Sequence, residues 1–307
     1  MAQQKSIKFP LLIFVLIAAL SLGWGVSWPM MKISLREFPI WTFRAWSCLL
    51  AGTCLLGLAR LSGGTVLPPA GEWRGLTLAA LCNVTAWHMF VGYGVVLVVS
   101  GHAAVLAYTM PLWVVLLGTL FLRQPLEPQS IIGMALGLAA ILTLVSADFA
   151  TLGKAPMGAM LILLGAIAWA TGTLIQKHRR TALSTLALSG WQLLIGSIPI
   201  FIVMPFVDGL QIPNVSAQAW AAGAYLTFIA LVICYFLWFK IVSLMSANRA
   251  SISALLVPAV GVASGAIFLD EAFGWREVLA LGFIAAALAF VLTVPGEKRA
   301  SERVPAE

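Results

Sequence analysis

Apolar residues fill this chain in long blocks, with polar positions gathered in short breaks between them. Cutting at charge clusters and at Gly, Pro and Ser turns gives ten segments, at about 10–31, 41–60, 74–99, 102–122, 130–148, 156–176, 185–207, 217–243, 250–269 and 277–295. As helices they are long enough to cross a hydrocarbon layer about 30 Å thick. Backbone polar groups in lipid must pair within their own segment, so each block is expected as an α-helix. Ser100–His102 and Ser246–Asn248 leave room only for tight hairpins. Lys5 and Lys8 ahead of FPLLIFVLIAALSLG resemble a leader, but the end of that block recurs mid-chain, so it reads as the first span. The polar end, 297–307, is expected as a cytoplasmic tail.

Composition agrees with the pattern. The 307 residues are 61% hydrophobic and only 9% charged, against about 25% charged in soluble domains. There is too little polar surface to cover a water-soluble globule. The net charge of +7 does not point to nucleic acid, because the basic residues sit at span ends, where they anchor helices at the headgroups. With the N-terminus inside, Lys5, Lys8, Arg60, Arg74, Arg123, Lys177, Arg179, Arg180, Lys240, Arg249, Lys298, Arg299 and Arg303 lie on the inner side. Lys32, Arg36, Arg44, Lys154 and Arg276 lie outside, a split of 13 to 5 that places both termini in the cytoplasm. Cys48, Cys54, Cys82 and Cys234 all fall in apolar spans and read as small buried hydrophobes.

The chain repeats itself. GWGVSWPMMK (23–32) aligns with AWATGTLIQK (168–177) at an offset of 145. AAVLAYTMPLWVVLLGTLFLRQPL (103–126) aligns with ASISALLVPAVGVASGAIFLDEAF (250–273) at 147, pairing Pro111 with Pro258. Each half, 1–150 and 151–296, then holds five spans. Five is odd, so the second half enters the membrane from the opposite side, as in the inverted repeats of many secondary transporters. A proline inside a helix costs about 3 kcal/mol, and finding one in each half suggests paired bends that gate a pathway. GMALG (133–137) permits close helix approach, so a monomer or weak homodimer is expected.

Polar and aromatic stripes mark candidate inner faces. Trp24, Ser27, Trp28 and Met31 share one face of the first span, and Trp169, Thr173 and Gln176 share the matching face of the sixth. The third span carries Asn83, Trp87, His88 and Tyr93; at the 147 offset His88 meets Tyr235 and Val91 meets Trp238. His88 is the one histidine well inside a span, and an intramembrane ionisable group marks a functional site by default. Lys240 reads as a charge anchor that snorkels to the headgroups. No aspartate or glutamate lies inside a span, and there is no nucleotide loop, HExxH or GxSxG. Neither catalysis, nor a metal site, nor a cofactor is expected.

The paired AAVLAYTMPLWVVLLGTLFL and ASISALLVPAVGVASGAIFLDE, with FPIWTFRAWSCLLAG at 38–52, resemble the ten-helix EamA-type branch of the drug/metabolite transporter superfamily, over about residues 12–295. That resemblance implies two five-helix inverted repeats around a central cavity. Helices 1, 3, 4, 6, 8 and 9 would line it, with 5 and 10 behind. It also implies a bacterial inner-membrane exporter of amino acids or other small metabolites. Its aromatic-amino-acid exporters would place Trp87, His88, Val91, Tyr108 and Met110 at the substrate, with Trp169 opposite; Val91 and Met110 stand where an aromatic is expected. The family's glutamate after Phe-Leu is met by Glu271 in one half and by Gln124 in the other. The expected partners are a small-molecule substrate and the bilayer. The expected activity is export of small amphipathic metabolites by alternating access. Within the same superfamily the alternative is a sugar-phosphate or nucleotide-sugar carrier, and outside it a non-transporting membrane scaffold.

Overall fold

A computed structural model of the chain describes residues 3–97, 103, 106–123, 128–145, 156–178, 181–209, 214–246, 249–250, 253–254, 256–269, 274–276, 278–280, 282–283 and 286–287. The described residues form helices joined by turns and short irregular links, with no strand among them. The first two spans are α1 (Gln3–Ser34) and α2 (Ile40–Leu61). The third is α3 (Trp73–Ala80), a π-helical stretch (Leu81–Ala86) and α4 (Trp87–Leu97). Then come α5 (Met110–Leu122), α6 (Pro128–Val145), α7 (Pro156–His178) and α8 (Thr185–Val207). The eighth span is α9 (Ala217–Ala224), a second π-helical stretch (Tyr225–Ile233) and α10 (Cys234–Leu244), and the ninth is α11 (Leu256–Leu269). Six of these spans are long and apolar enough to cross a membrane, and three helical stretches, at 110–122, 131–140 and 256–269, are shorter. Most of the tenth expected span, the polar tail, His102, Gln124 and Glu271 lie outside the described residues.

The halves pack in matching pairs. α1 lies on α11 as α7 lies on α5; α1 also runs along the broken eighth span as α7 runs along the broken third; α2 and α8 cross each other. Adding 147 to 81–86 gives 228–233, so the two π-helical stretches coincide under the repeat. Each shifts hydrogen bonds to the residue five back and leaves backbone carbonyls open to side chains. At the α2–α8 crossing the backbones touch: a Cβ added at Gly52 would stand 3.0 Å from the Gly190 oxygen, and one at Gly190 would stand 3.0 Å from the Gly52 oxygen. Lipid tails are as apolar as leucine, so this kind of close contact is what holds membrane helices together. Gly133 and Gly137 are buried, so that small-residue stripe is spent within the protomer.

The prolines sit differently from the mid-helix bends expected of them. Pro111 is the second residue of α5, after a turn at Tyr108–Thr109 in which the Thr109 amide donates to the Leu106 carbonyl at 3.2 Å. Pro258 is the third residue of α11, and the Ala254 carbonyl accepts from the Val257 amide at 3.0 Å. In a first helical turn the missing N–H has no intrahelical partner to lose, so most of the cost disappears. Both prolines are buried.

The three described carboxylates tie the halves at their ends. Glu37 accepts from the Ser216 amide (2.6 Å) and hydroxyl (2.7 Å), at the start of α9. Glu72 accepts from the Thr181 hydroxyl (2.5 Å) and the Ala182 amide (3.1 Å). The 145 offset carries Glu37 onto Ala182, so the two latches occupy matching places with the carboxylate on opposite partners. Asp208 accepts from the Thr42 amide at 2.7 Å. The two Ser216 bonds hold the Glu37 carboxyl below its ordinary value of 4.5. A depressed carboxyl stabilises the fold above the ordinary value and loses that contribution as pH falls through its own lower value. Thermal unfolding of Glu37→Gln should therefore lie below wild type at pH 6, with the gap closing as the pH is taken below the ordinary carboxyl value of 4.5. A gap independent of pH would mean the charge on Glu37 contributes nothing.

Candidate functional site

Where the two halves meet there is a small chamber of about 60 Å³. α1 presents Trp24, Ser27, Trp28 and Met31 to it; α4 presents Trp87, His88 and Val91; the turn before α5 adds Tyr108, and α5 itself adds Met110. From the second half come Trp169 on α7, residues of the π-helical stretch, and Tyr235 on α10. Eight of the ten candidate substrate residues thus share one cavity. Thr173 and Trp238 do not line it. Both are fully buried behind the wall, and the Trp238 ring packs 5.8 Å from Trp24 and 6.0 Å from Trp169.

The wall is an aromatic cluster in mostly edge-on geometry, the arrangement ring quadrupoles favour. Trp24 meets Trp169 at 5.6 Å and Tyr235 at 6.2 Å, and Trp87 meets Trp169 at 5.0 Å. Two carbonyls freed by the π-helical stretches anchor it. Trp24 Nε1 donates to the Ala230 carbonyl at 3.0 Å, and the Tyr235 hydroxyl donates to the Asn83 carbonyl at 3.2 Å. Asn83 and Ala230 are 147 apart, the same position in each half. The Asn83 carbonyl can only accept, so it takes the Tyr235 proton. His88 Nε2, 3.1 Å from the same hydroxyl, is left to donate its own. Behind Tyr235, Asn83 donates to Gln192 (2.9 Å) and Gln192 to Gln176 (3.1 Å), a buried amide ladder through three helices.

Two features depart from the lining expected by resemblance. Among the described residues α11 contributes no lining side chain, because it packs behind α1, where Ser264 Oγ donates to the Gly25 carbonyl at 3.3 Å. α2 instead contributes Arg44, which sequence reasoning had placed among the outer anchors. Its side chain is 3% exposed. Its position in FPIWTFRAWSC, directly between Phe43 and Ala45 and with no other charge in the run, is the signal that could have marked it. Among the described residues no group of His, Cys, Asp and Glu is arranged to hold a metal.

A larger apolar recess of about 570 Å³ lies between α2, the end of α8 and the eighth span. Its rim is the outward-facing Trp46, Leu50, Trp220 and Phe228, and none of its described lining residues is charged. Convergent polar groups inside an apolar wall are what distinguish a recognition site, and those are in the central chamber.

An all-helical protein of apolar spans with an aromatic chamber between two matching halves has the build of a membrane carrier. The EamA-like transporter family matches residues 10–146 and again 156–293, and the chain belongs to that family: it is a multi-pass membrane transporter. It is 25% identical to the uncharacterized transporter YvbV of Bacillus subtilis (strain 168) over 292 residues, covering 94% of this chain and 93% of that one. It is 29% identical to the uncharacterized inner membrane transporter YedA of Escherichia coli (strain K12), covering 91% and 90%. A probable amino-acid metabolite efflux pump of Escherichia coli (strain K12) is 27% identical, over 62% of this chain and 64% of the pump. A crystal structure with a TM-score of 0.74 covers 91% of this chain and 96% of the other; at 17% identity it speaks for the fold alone.

Proposed function

We propose that this transporter exports small amphipathic metabolites, hydrophobic or aromatic amino acids among them, across a bacterial inner membrane by alternating access. In this reading the halves 1–150 and 151–296 are oppositely oriented five-helix repeats, both termini are cytoplasmic, and the protomer works as a monomer or weak homodimer. The observation that carries the reading is the chamber itself: it is assembled from both halves, walled by aromatics and anchored on matching π-helical carbonyls. At about 60 Å³ it is well below the roughly 300 Å³ of an ordinary ligand pocket, so in this reading the chamber must widen to take a substrate. The turns before Pro111 and Pro258 supply hinges where α5 and α11 start. The resemblance to an efflux pump and to an inner membrane transporter supports the direction and the membrane.

The test is counterflow in proteoliposomes against a pool of amino acids and small metabolites. Wild type should exchange at least one of them, and absence of exchange with the whole pool would sink the reading. His88→Ala removes the donor to Tyr235 and should cut flux about tenfold, the value of one buried hydrogen bond, at unchanged expression. Unchanged flux would assign His88 to packing alone.

A further inference from the structure

Arg44 is a guanidinium that cannot shed its charge, held in the wall of the central chamber with almost no solvent contact. Burying a charge is costly unless it is paired, and Arg44 is not. Its Nη2 reaches the Met31 sulfur at 3.2 Å, a weak acceptor, and its plane lies 5.5 Å from the Phe43 ring. Its Nε is buried with no hydrogen-bond partner. The described carboxylates are committed elsewhere: Glu37 to Ser216, Glu72 to Thr181 and Ala182, Asp208 to Thr42.

A second unsatisfied donor lines the same chamber. Trp169 Nε1 is buried without a partner, whereas its repeat counterpart Trp24 is bonded to Ala230. The Ala230 carbonyl is taken by Trp24 and the Asn83 carbonyl by Tyr235, and the buried acceptors left without a partner, Asn83 Oδ1 and Thr173 Oγ1 among them, belong to residues that do not line the chamber. The chamber therefore has donors to spare and a lone fixed positive charge inside an apolar aromatic wall. From this we infer that Arg44 and the Trp169 indole receive the carboxylate of the transported molecule, whose aromatic or branched apolar body fills the rest of the opened chamber. The inference rests on the transport reading and narrows its substrate to organic carboxylates. A planar carboxylate fits the guanidinium fork. A dianionic phosphate would be half neutralised, since no other Lys or Arg is among the chamber's described lining residues. An amino group on the substrate is optional, because a cation can rest on the indole faces.

Three probes decide it with the purified full chain in detergent: 3-phenylpropionate, phenylalanine and 2-phenylethylamine, followed by calorimetry. Both acids should bind and the amine should not. Arg44→Met should weaken the acids by about 10- to 100-fold, the range for a hydrogen bond to a charged group. Its melting temperature should hold or rise, because the variant removes an uncompensated buried charge. Trp169→Phe keeps the ring and should weaken the acids several-fold. Should Arg44→Met not fold, Arg44→Lys keeps the charge and loses the fork, and is expected to weaken the acids while folding. Amine binding equal to that of the acids, no binding of either acid at millimolar concentration, or full affinity in the folded Arg44 variant would each overturn the inference. Proteoliposomes separate the two readings. Acids that bind but do not exchange would sink transport and leave the carboxylate site. Exchange of the amine at full rate in Arg44→Met would sink the carboxylate site and leave transport.

Discussion

Gly190→Leu is expected to prevent the two halves from assembling. At this crossing of α2 and α8 a Cβ on Gly190 already meets the Leu56 side chain at 2.9 Å and the Gly52 carbonyl oxygen at 3.0 Å. The leucine side chain can turn away, but the carbonyl belongs to a helix backbone and cannot. A single methyl, in Gly190→Ala, should cost about 1–3 kcal/mol, the usual range for overpacking. The isobutyl group of Gly190→Leu must push whole helices apart and give up contacts along both, so the expected result is aggregated or unfolded protein by size-exclusion chromatography. Gly57→Leu, on the same helix as Gly52 but with nothing within 4 Å of its Cβ position, is the control and should elute as wild type. Equal behaviour of Gly190→Leu and Gly57→Leu would show that the crossing does not hold the halves.

The second large effect is expected at Trp24. Its ring contacts Trp169, Tyr235 and Trp238, and its Nε1 holds the Ala230 carbonyl. Trp24→Ala removes all of these at once and should destabilise the protein by about 3–5 kcal/mol, the range for a buried tryptophan. Trp24→Phe keeps much of the ring contact and leaves the Ala230 carbonyl unpaired, at about 1–3 kcal/mol. Trp169→Phe deletes an N–H that is already without a partner, so its unfolding should match wild type closely. Denaturation in micelles gives the order Trp24→Ala, then Trp24→Phe, then Trp169→Phe. If the two phenylalanine variants behaved alike, the bond to Ala230 would carry no weight. Trp24→Ala also deepens the chamber by most of an indole, so larger solutes should compete for whatever it exchanges.

Much of this was legible in the chain. Apolar blocks separated by short polar breaks foretold the helices, because lipid leaves no other partner for the backbone. The offsets of 145 and 147 foretold halves that pack in matching pairs. The α1 stripe and the His88–Tyr235 correspondence led to residues that do share one cavity. Other features were not legible, for identifiable reasons. Helical periodicity says which residues share a face, but depth within a bundle depends on the neighbour's side chains. Thr173 and Trp238 therefore read as lining residues, although both are fully buried away from the cavity. π-helical stretches leave no mark in hydrophobic pattern, so the pair of freed carbonyls was invisible until the backbone was folded. Pro111 and Pro258 read as bends within helices because the turn at Tyr108–Thr109 is made of residues that also suit a helix.

Arg44 shows the division most clearly. Local chemistry along the chain sufficed for the class of molecule: too few charges for water, apolar lengths matched to a bilayer, and one unit written twice. Those properties are one-dimensional, and they follow from the need to pair every backbone group inside each segment. Whether an arginine one turn into a span reaches back to headgroups or forward into a chamber depends on which helices close around it. α1 and α4 surround it, with the second π-helical stretch beside them, and that arrangement converts an apparent anchor into a buried, unpaired charge. Long-range packing is a property of the assembled bundle, and it is there that a run of apolar helices acquired a central chamber with a buried charge in its wall.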